Sequence, residues 1–570
     1  MAGHGSGAQG PDPCEQVRAC TGPAAQALHA TGISSRTLRP HSLLRNLAAC
    51  LAAGLLWLLS APASAGADSA ALAQALAGPD AVAGQPLFAP EALRALYAPR
   101  DYRPLWSDDR VESARGVLAG ADAHGLLPAD YHLSAIDALC ADRTAAGRVG
   151  CELLLSDGLL LLGSHLRSGK VESGGLRPRR QLRLADADLP ARLAAAQGPA
   201  DFVAGLTSSL AGYERLRQAL GHYRSLAAAG GWAHLPDGPT LRVDDWSAAV
   251  PPLRRRLLRE GVEPVADAGS EQFDADVEDA VRRFQARHGL QVDGAVGPRT
   301  RAALNVSAAQ RVDQLIANLE RRRWLGDAPG RRQVRVNAAA FTLDAIEGDA
   351  VALHMRVVVG RPYRPTPEFS DRIRYLVLNP YWEVPTRLAV QDKLPEIKRD
   401  PGYLASEHLR VLSGWGPDAR ELDPAQIDWQ RLRGHVPYRL RQDPGPWNAL
   451  GRIKFMFPNA YDVYLHDTPS RGLFAHAERS FSSGCIRVEQ ALALADWLLQ
   501  DDPQWTPAAL REAIDSGRMR TVNLRTPVPV YLLYWTAWVG SDGRVQFRRD
   551  LYERDAALAA ALTTPIIQTP

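Results

Sequence analysis

The chain has 570 residues, 46% of them hydrophobic and 23% charged, with 47 Gly and 41 Pro. That composition excludes collagenous, coiled-coil and wholly disordered classes and leaves room for about three to five domains. Lys+Arg 66 against Asp+Glu 63 gives a formal charge of +3, and no segment interleaves Arg with aromatics as a nucleic-acid groove does, so nucleic acid is not an expected partner.

In chain order, residues 1–35 are rich in Gly, Ala and Pro and read as a disordered extension or a start assigned too early. Residues 36–65 then combine a basic stretch (Arg36, Arg39, Arg45), an apolar run from Leu47 to Leu59 and Ala63-Ser64-Ala65. A charged region, an apolar core and a small-x-small site make a secretory signal, and the run at 47–59, if uncleaved, would serve as an inner-membrane anchor. The chain is expected to leave the cytoplasm. Cys14, Cys20 and Cys50 precede the cleavage site, leaving Cys140, Cys151 and Cys485. Cys140 and Cys151 are near enough in sequence for a local disulfide, which makes Cys485 the surplus thiol.

Residues 67–240 read as an α-helical scaffold. Leu153 to Leu166 is an apolar helix stopped by Gly169, and Ser156 and Asp157 inside its leucine run mark a buried core helix rather than a membrane span. Residues 244–306 form a small three-helix unit: Val250, Leu253 and Leu257, then Val277, Val281 and Phe284, recur at helical spacing, and Gly297-Pro298 opens a short third helix. After a helix at about 310–325 the apolar period changes to two (Val334, Val336; Leu343; Val351, Leu353; Tyr375 to Leu378), which predicts a mainly β domain over 331–545. Residues 386–450, rich in Pro, Asp, Arg and Trp, read as an inserted lid. Strand character returns at Tyr461 to His466 and at Val528 to Val539, with a helix from about Glu489 to Leu499. Residues 546–570 read as a C-terminal tail.

Chemistry concentrates at Ser482-Ser483-Gly484-Cys485-Ile486-Arg487-Val488 and at His466, 19 residues before Cys485. A thiol with its ordinary pKa near ~8.5 needs an imidazole to take its proton, and two neighbouring strands supply that contact. Cys485 is thus the candidate nucleophile and His466 the general base and acid. Asp467 would orient His466 through its carbonyl or its carboxylate, and the backbone of Gly484 and Cys485 would form an oxyanion hole. The helix near Glu489 would favour thiolate through its positive end. Arg487, Tyr464, Trp382 and Ser483 are candidate substrate contacts. No HExxH pair or Cys/His ligand cluster is present, so neither a metal nor another cofactor is expected. Arg167, Val390, Pro395 and Gly451 stand three before the four lysines, which excludes a Ser-x-x-Lys enzyme.

The Ala280-to-Gln285, His288-Gly289-Leu290 and Asp293-to-Gly297 wording resembles the peptidoglycan-binding domain. His466 with the Ser482-to-Val488 stretch, together with Asn379-to-Pro385, Gly445-to-Arg452 and Lys454-to-Asn459, resembles the YkuD-type L,D-transpeptidase family in its large periplasmic branch. Ser483 stands where smaller members often carry a second His. The resemblance implies a multidomain α+β protein with helical scaffold, wall-binding unit and β catalytic domain. It implies a cysteine acyltransferase forming 3→3 crosslinks between peptidoglycan stem peptides through a thioester. Partners would be stem peptides and glycan, with other wall-synthesis enzymes open. The alternatives are a non-enzymatic wall-binding scaffold and the same site working as an L,D-carboxypeptidase.

Overall fold

The computed structural model describes residues 63–566, apart from 174, 180–181, 183–185, 208–209, 211, 262–268, 327–329 and 417. The signal, its anchor and the three cysteines before it therefore lie outside the described residues.

The scaffold is built round the helix Ala145–Ser168. Thr144 caps it by accepting from the Gly147 amide at 3.1 Å, a first-turn donor that would otherwise lack a partner. By length and composition this helix could cross a membrane, yet it is wholly buried. Its polar residues explain why: Asp157 accepts from the Phe88 and Ala89 amides and lies 2.8 Å from His132 Nε2, and Glu152 accepts from Tyr97 Oη at 2.6 Å. A Cβ at Gly158 would meet the Tyr131 carbonyl and one at Gly163 the Phe202 ring, so the glycines mark close packing rather than flexibility. Cys140 and Cys151 are disulfide-bonded across a Cα–Cα distance of 4.9 Å, leaving Cys485 as the free cysteine among the described residues.

The C-terminal segment, expected to be a tail, is instead part of this core. The helix Asp555–Thr563 buries Leu558, Ala561 and Leu562 in the scaffold core beside Leu315 and Leu319 of the helix Ala308–Arg323. Lys170, fully buried and 2.7 Å from Asp130, donates to the Leu562 carbonyl at 2.6 Å. The Ile566 amide donates to Asp130 at 2.7 Å. Alternating Ala and Leu give the segment little amphipathic contrast, so its sequence carried no sign of which face would be buried.

The 244–306 unit has its own core of Val250, Leu253, Leu257, Val277, Val281, Phe284, Val296 and Leu304. A cavity of about 550 Å³ lies between it, Phe341 and Glu478 of the β domain, and Arg548 of the C-terminal segment.

The β domain consists of β1 (Arg332–Asn337), β2 (Thr342–Glu347), β3 (Ala350–Gly360), β4 (Phe369–Leu378), β5 (Ile453–Met456), β6 (Leu465–His466), β7 (Ser480–Ser482), β8 (Ile486–Val488) and β9 (Arg520–Leu533). They form one sheet in the order β7-β3-β8-β6-β5-β4-β9-β1-β2, and β2 pairs back onto β3, closing the sheet on itself. Closure removes most free edges. The helix Ala491–Leu499 packs Leu494, Ala495 and Leu498 into the same core as Val488, Leu465 and Phe455. It starts two residues later than its sequence suggested, because Ile486–Val488 is spent as a strand.

Residues 386–450 fold as a small unit. Strands Trp382–Glu383, Arg439–Gln442, Leu409–Leu412 and Glu421–Leu422 make a four-stranded sheet over a core that includes Val384, Leu394, Ile397, Leu404, Val411 and Leu440.

Candidate active site

Two short parallel strands set the site. In β6 and β8, Leu465 is registered with Ile486 and His466 with Arg487, and the Ile486 amide donates to the Tyr464 carbonyl at 3.1 Å. Side chains alternate along strands, so Tyr464, His466, Cys485 and Arg487 share one face, with Cys485 diagonal to His466 at a Cα separation of about 8 Å from a ~6.6 Å two-residue step and a ~4.8 Å strand spacing. On the other side β5 pairs Lys454 with His466, bringing a fifth group to that face. Lys454 lies within a motif of the resembled family, and only the strand register brings it beside His466.

The half-buried Cys485 Sγ lies 3.8 Å from the Asp462 carbonyl. It makes no hydrogen bond to His466 among the described residues. His466 is 5% exposed and its Nδ1 donates to the backbone carbonyl of Asp467 at 2.6 Å. That fixes the tautomer and leaves the lone pair on Nε2. The Asp467 carboxylate is used elsewhere, accepting from the Arg452 amide at 2.9 Å and from Arg471. Burial first, then the Arg487 charge, lowers the His466 pKa to about 3, so the imidazole is neutral. Burial also pushes the thiol pKa up, against the pull of Lys454 and Arg487. Desolvation thus outweighs the nearby positive charge at the thiol.

Lys454 Nζ lies 3.8 Å from the Tyr464 ring centre, and Arg487 has a buried Nε with no hydrogen-bond partner among the described residues. Neither has a carboxylate within ion-pair distance among the described residues. Burial depresses both pKa values. Two cations with no anion beside a thiol make a site complementary to a carboxylate-bearing ligand.

Other sequence candidates have different surroundings. The Gly484 amide donates to Ser482 Oγ at 3.2 Å, so it is engaged within its own loop and the oxyanion assignment to it needs correction. The Cys485 amide has no acceptor among the described residues. Ser483 Oγ accepts from Arg364 at 3.0 Å. Trp382 packs against the core of the inserted unit, with Lys393 Nζ 5.5 Å from its ring.

The quoted motifs act as clamps. Asn459 accepts from the Tyr461 and Val463 amides and donates to the Phe457 and Val463 carbonyls, holding the turn that carries Asp462 at φ +53°. Asn448, wholly buried, donates to the Pro380 and Asp443 carbonyls and accepts from the Leu450 amide. A Cβ at Gly451 (φ +61°) would meet the Asp467 carboxylate.

A free thiol and a neutral imidazole thus share one face of a closed β domain. Comparison with known proteins supplies the family. Residues 331–530 match the L,D-transpeptidase catalytic domain, YkuD, residues 91–220 a scaffold domain and residues 247–304 a peptidoglycan binding domain. The chain thus carries a YkuD-family L,D-transpeptidase catalytic domain joined to scaffold and peptidoglycan-binding domains. Among curated proteins it is 36% identical over 248 residues to a Haemophilus influenzae protein whose own assignment as an L,D-transpeptidase is provisional, covering 44% of this chain and 49% of that one. It is 31% identical over 120 residues to the N-acetylmuramoyl-L-alanine amidase CwlM of Mycobacterium tuberculosis, covering 20% of this chain and 30% of that one. The chain spans about half the length of the first relative and less of the second. Solved structures similar to it include an L,D-transpeptidase from Mycobacterium smegmatis, at 14% identity and TM-score 0.17 over 35% of this chain and 58% of that chain. Another is an L,D-transpeptidase from Stackebrandtia nassauensis, at 13% identity and TM-score 0.20 over 51% and 94%.

Proposed function

We propose that the chain is an L,D-transpeptidase that forms 3→3 peptidoglycan crosslinks through a thioester on Cys485. The observation that carries this reading is the free thiol sharing one strand face with a neutral His466 between two unpaired cations. Cys485 gives its proton to His466 Nε2 as Sγ attacks the carbonyl between the diaminopimelate and the terminal D-Ala of a tetrapeptide stem. The C–N bond of the tetrahedral intermediate breaks, His466 passes the proton to the departing D-Ala amine, and the thioester remains. The side-chain amine of a second stem then attacks, giving its proton to His466. The C–S bond breaks and the proton returns to sulfur. Lys454 and Arg487 hold stem carboxylates, and Tyr464 walls the pocket.

The unit at 386–450 serves as a lid that keeps water from the thioester. Arg364 supports this: it donates to Ser483 Oγ beside the nucleophile and also pairs with Asp392 at 2.6 Å and Gln391 at 2.9 Å in the insertion. Residues 244–306 contribute wall affinity, which raises local substrate concentration without touching the transition state. The apolar segment 47–59 and the Cys140–Cys151 disulfide support action outside the cytoplasm.

Incubation with a β-lactam acyl donor, with the adduct located by peptide mass spectrometry, tests the site. The adduct is expected on Cys485, and muropeptides from cells relying on this chain should contain 3→3 dimers. A chain left unacylated, or dimers that persist with Cys485→Ala, overturns the reading.

A further inference from the structure

The nucleophile loop is tied to a part of the chain outside the matched catalytic residues 331–530. Thr366, 2% exposed, donates from Oγ1 to the Gly484 carbonyl at 2.8 Å and accepts from the Gly360 amide at 3.0 Å. Its own amide donates to Tyr552 Oη at 3.3 Å, and Tyr552 Oη donates to the Gly360 carbonyl at 2.8 Å. Tyr552 is held in turn. Its ring stacks on Tyr534 with centres 5.0 Å apart, and its amide donates to Tyr534 Oη at 2.7 Å. Tyr534 donates to Asp550, Asp550 accepts from the Asp555 amide, and Asp555 pairs with buried Arg321 of the helix Ala308–Arg323. A continuous line of hydrogen bonds therefore runs from the scaffold to the residue before the nucleophile.

What this line controls follows from peptide geometry. A trans peptide is planar, with its C=O and N–H pointing in opposite directions. Fixing the Gly484 carbonyl therefore fixes the Cys485 amide. That N–H has no acceptor among the described residues, whereas the Gly484 amide is engaged by Ser482. Gly484 sits at φ +120°, a conformation open to glycine and rarely adopted by a residue with a Cβ, so the loop's backbone is not held by a side chain of its own there. Gly360 leaves no slack on the other side, since a Cβ there would meet the Arg364 carbonyl and the Thr366 amide.

We propose that Thr366, itself held by Tyr552 of the C-terminal segment, is a positioning residue that fixes the Gly484–Cys485 peptide plane and aims the Cys485 amide at the oxyanion formed during acylation. This rests on the acyl-transfer reading above. An oxyanion donor is worth roughly 10²–10³ in rate when deleted outright, so misaiming it should cost less, about 10–100-fold.

The test compares two reactions of the same thiol in the full chain. Acylation by imipenem builds an oxyanion, whereas alkylation by iodoacetamide builds none. Thr366→Val, which keeps shape and loses the hydroxyl, should slow imipenem acylation about 10–100-fold at saturating donor, with half-saturation and alkylation rate within about threefold of wild type. Thr366→Ser should restore most of the acylation rate. Tyr552→Phe keeps the ring stack and should give a smaller loss of the same kind, serving as the variant of record if Thr366→Val does not fold. Acylation and alkylation falling together, or acylation unchanged in the folded variants, overturns the proposal. A wild-type chain that alkylates at Cys485 but never acylates overturns the acyl-transfer reading itself and the role with it, an outcome distinct from equal acylation of wild type and variant.

Discussion

Arg487→Met replaces a guanidinium that has no anionic partner by a side chain of similar stem length, and its effect on Cys485 has a definite sign. A cation favours thiolate, so Arg487 lowers a thiol pKa that burial has raised. Removing it should raise that pKa further. The two residues are two apart on one strand face, about 7 Å by strand geometry. At that distance two unit charges interact by about 2.4 kcal/mol at an effective dielectric of ~20. Solvent screening of the half-buried thiol cuts this to roughly 1.4 kcal/mol, or about one pKa unit. The assay is the pH profile of Cys485 alkylation by iodoacetamide, followed by intact mass. The midpoint, already above the ordinary thiol range, should move up by about one unit. At any pH below it the rate should fall about tenfold, and added salt should narrow the gap between variant and wild type. The same substitution removes an unpaired, largely buried charge, so the melting temperature should hold or rise. A midpoint that stays or moves down, or a clear loss of stability, would refute the picture of Arg487 as a charge kept for ligand and nucleophile.

Other outcomes follow from the same geometry. Cys485→Ala should abolish acylation and 3→3 dimers while leaving the fold intact, because a small volume change at one half-buried site costs only about 1 kcal/mol. His466→Ala should nearly do so, and the pH–rate curve of the wild type should show no inflection near pH 6.5, the imidazole having its pKa at about 3. Arg364→Met, which unlatches the inserted unit from Ser483, should raise donor hydrolysis relative to crosslinking, read as free tripeptide against dimer by mass spectrometry. An unchanged ratio would count against a lid. Serine at both Cys140 and Cys151, 11 residues apart, should lower stability by about 2–3 kcal/mol in thermal unfolding, with the imipenem acylation rate unchanged at temperatures where the variant is folded.

The candidate nucleophile, the candidate base and the change from helical to β organisation stood out in the sequence because each is a local signal: a surplus thiol beside Gly484, a His ending an apolar run, and a period that switches from about four to two. The Asp467 carbonyl was one of two alternatives, and the register of β6 and β8 with the buried turn at Asn448 decided for it. Long-range contacts decided the rest. Pairing of Trp382–Glu383 with Arg441 and Gln442 joins Trp382 to the inserted unit, which no local pattern in the sequence announces. Residues 546–570 read as a tail because their alanines and leucines have no marked face. The buried Asp130–Lys170 pair, Arg321 of the helix Ala308–Arg323 and the core round Leu315 and Leu319, hundreds of residues away in sequence, give that segment its place. Thr366 and Tyr552 carry no local signature at all: a hydroxyl becomes a positioning group only when closure of the sheet and docking of the C-terminal segment bring it within 2.8 Å of the carbonyl before Cys485. Local chemistry is written in neighbouring residues, whereas solvation and the aim of a backbone amide depend on what the whole chain packs around them.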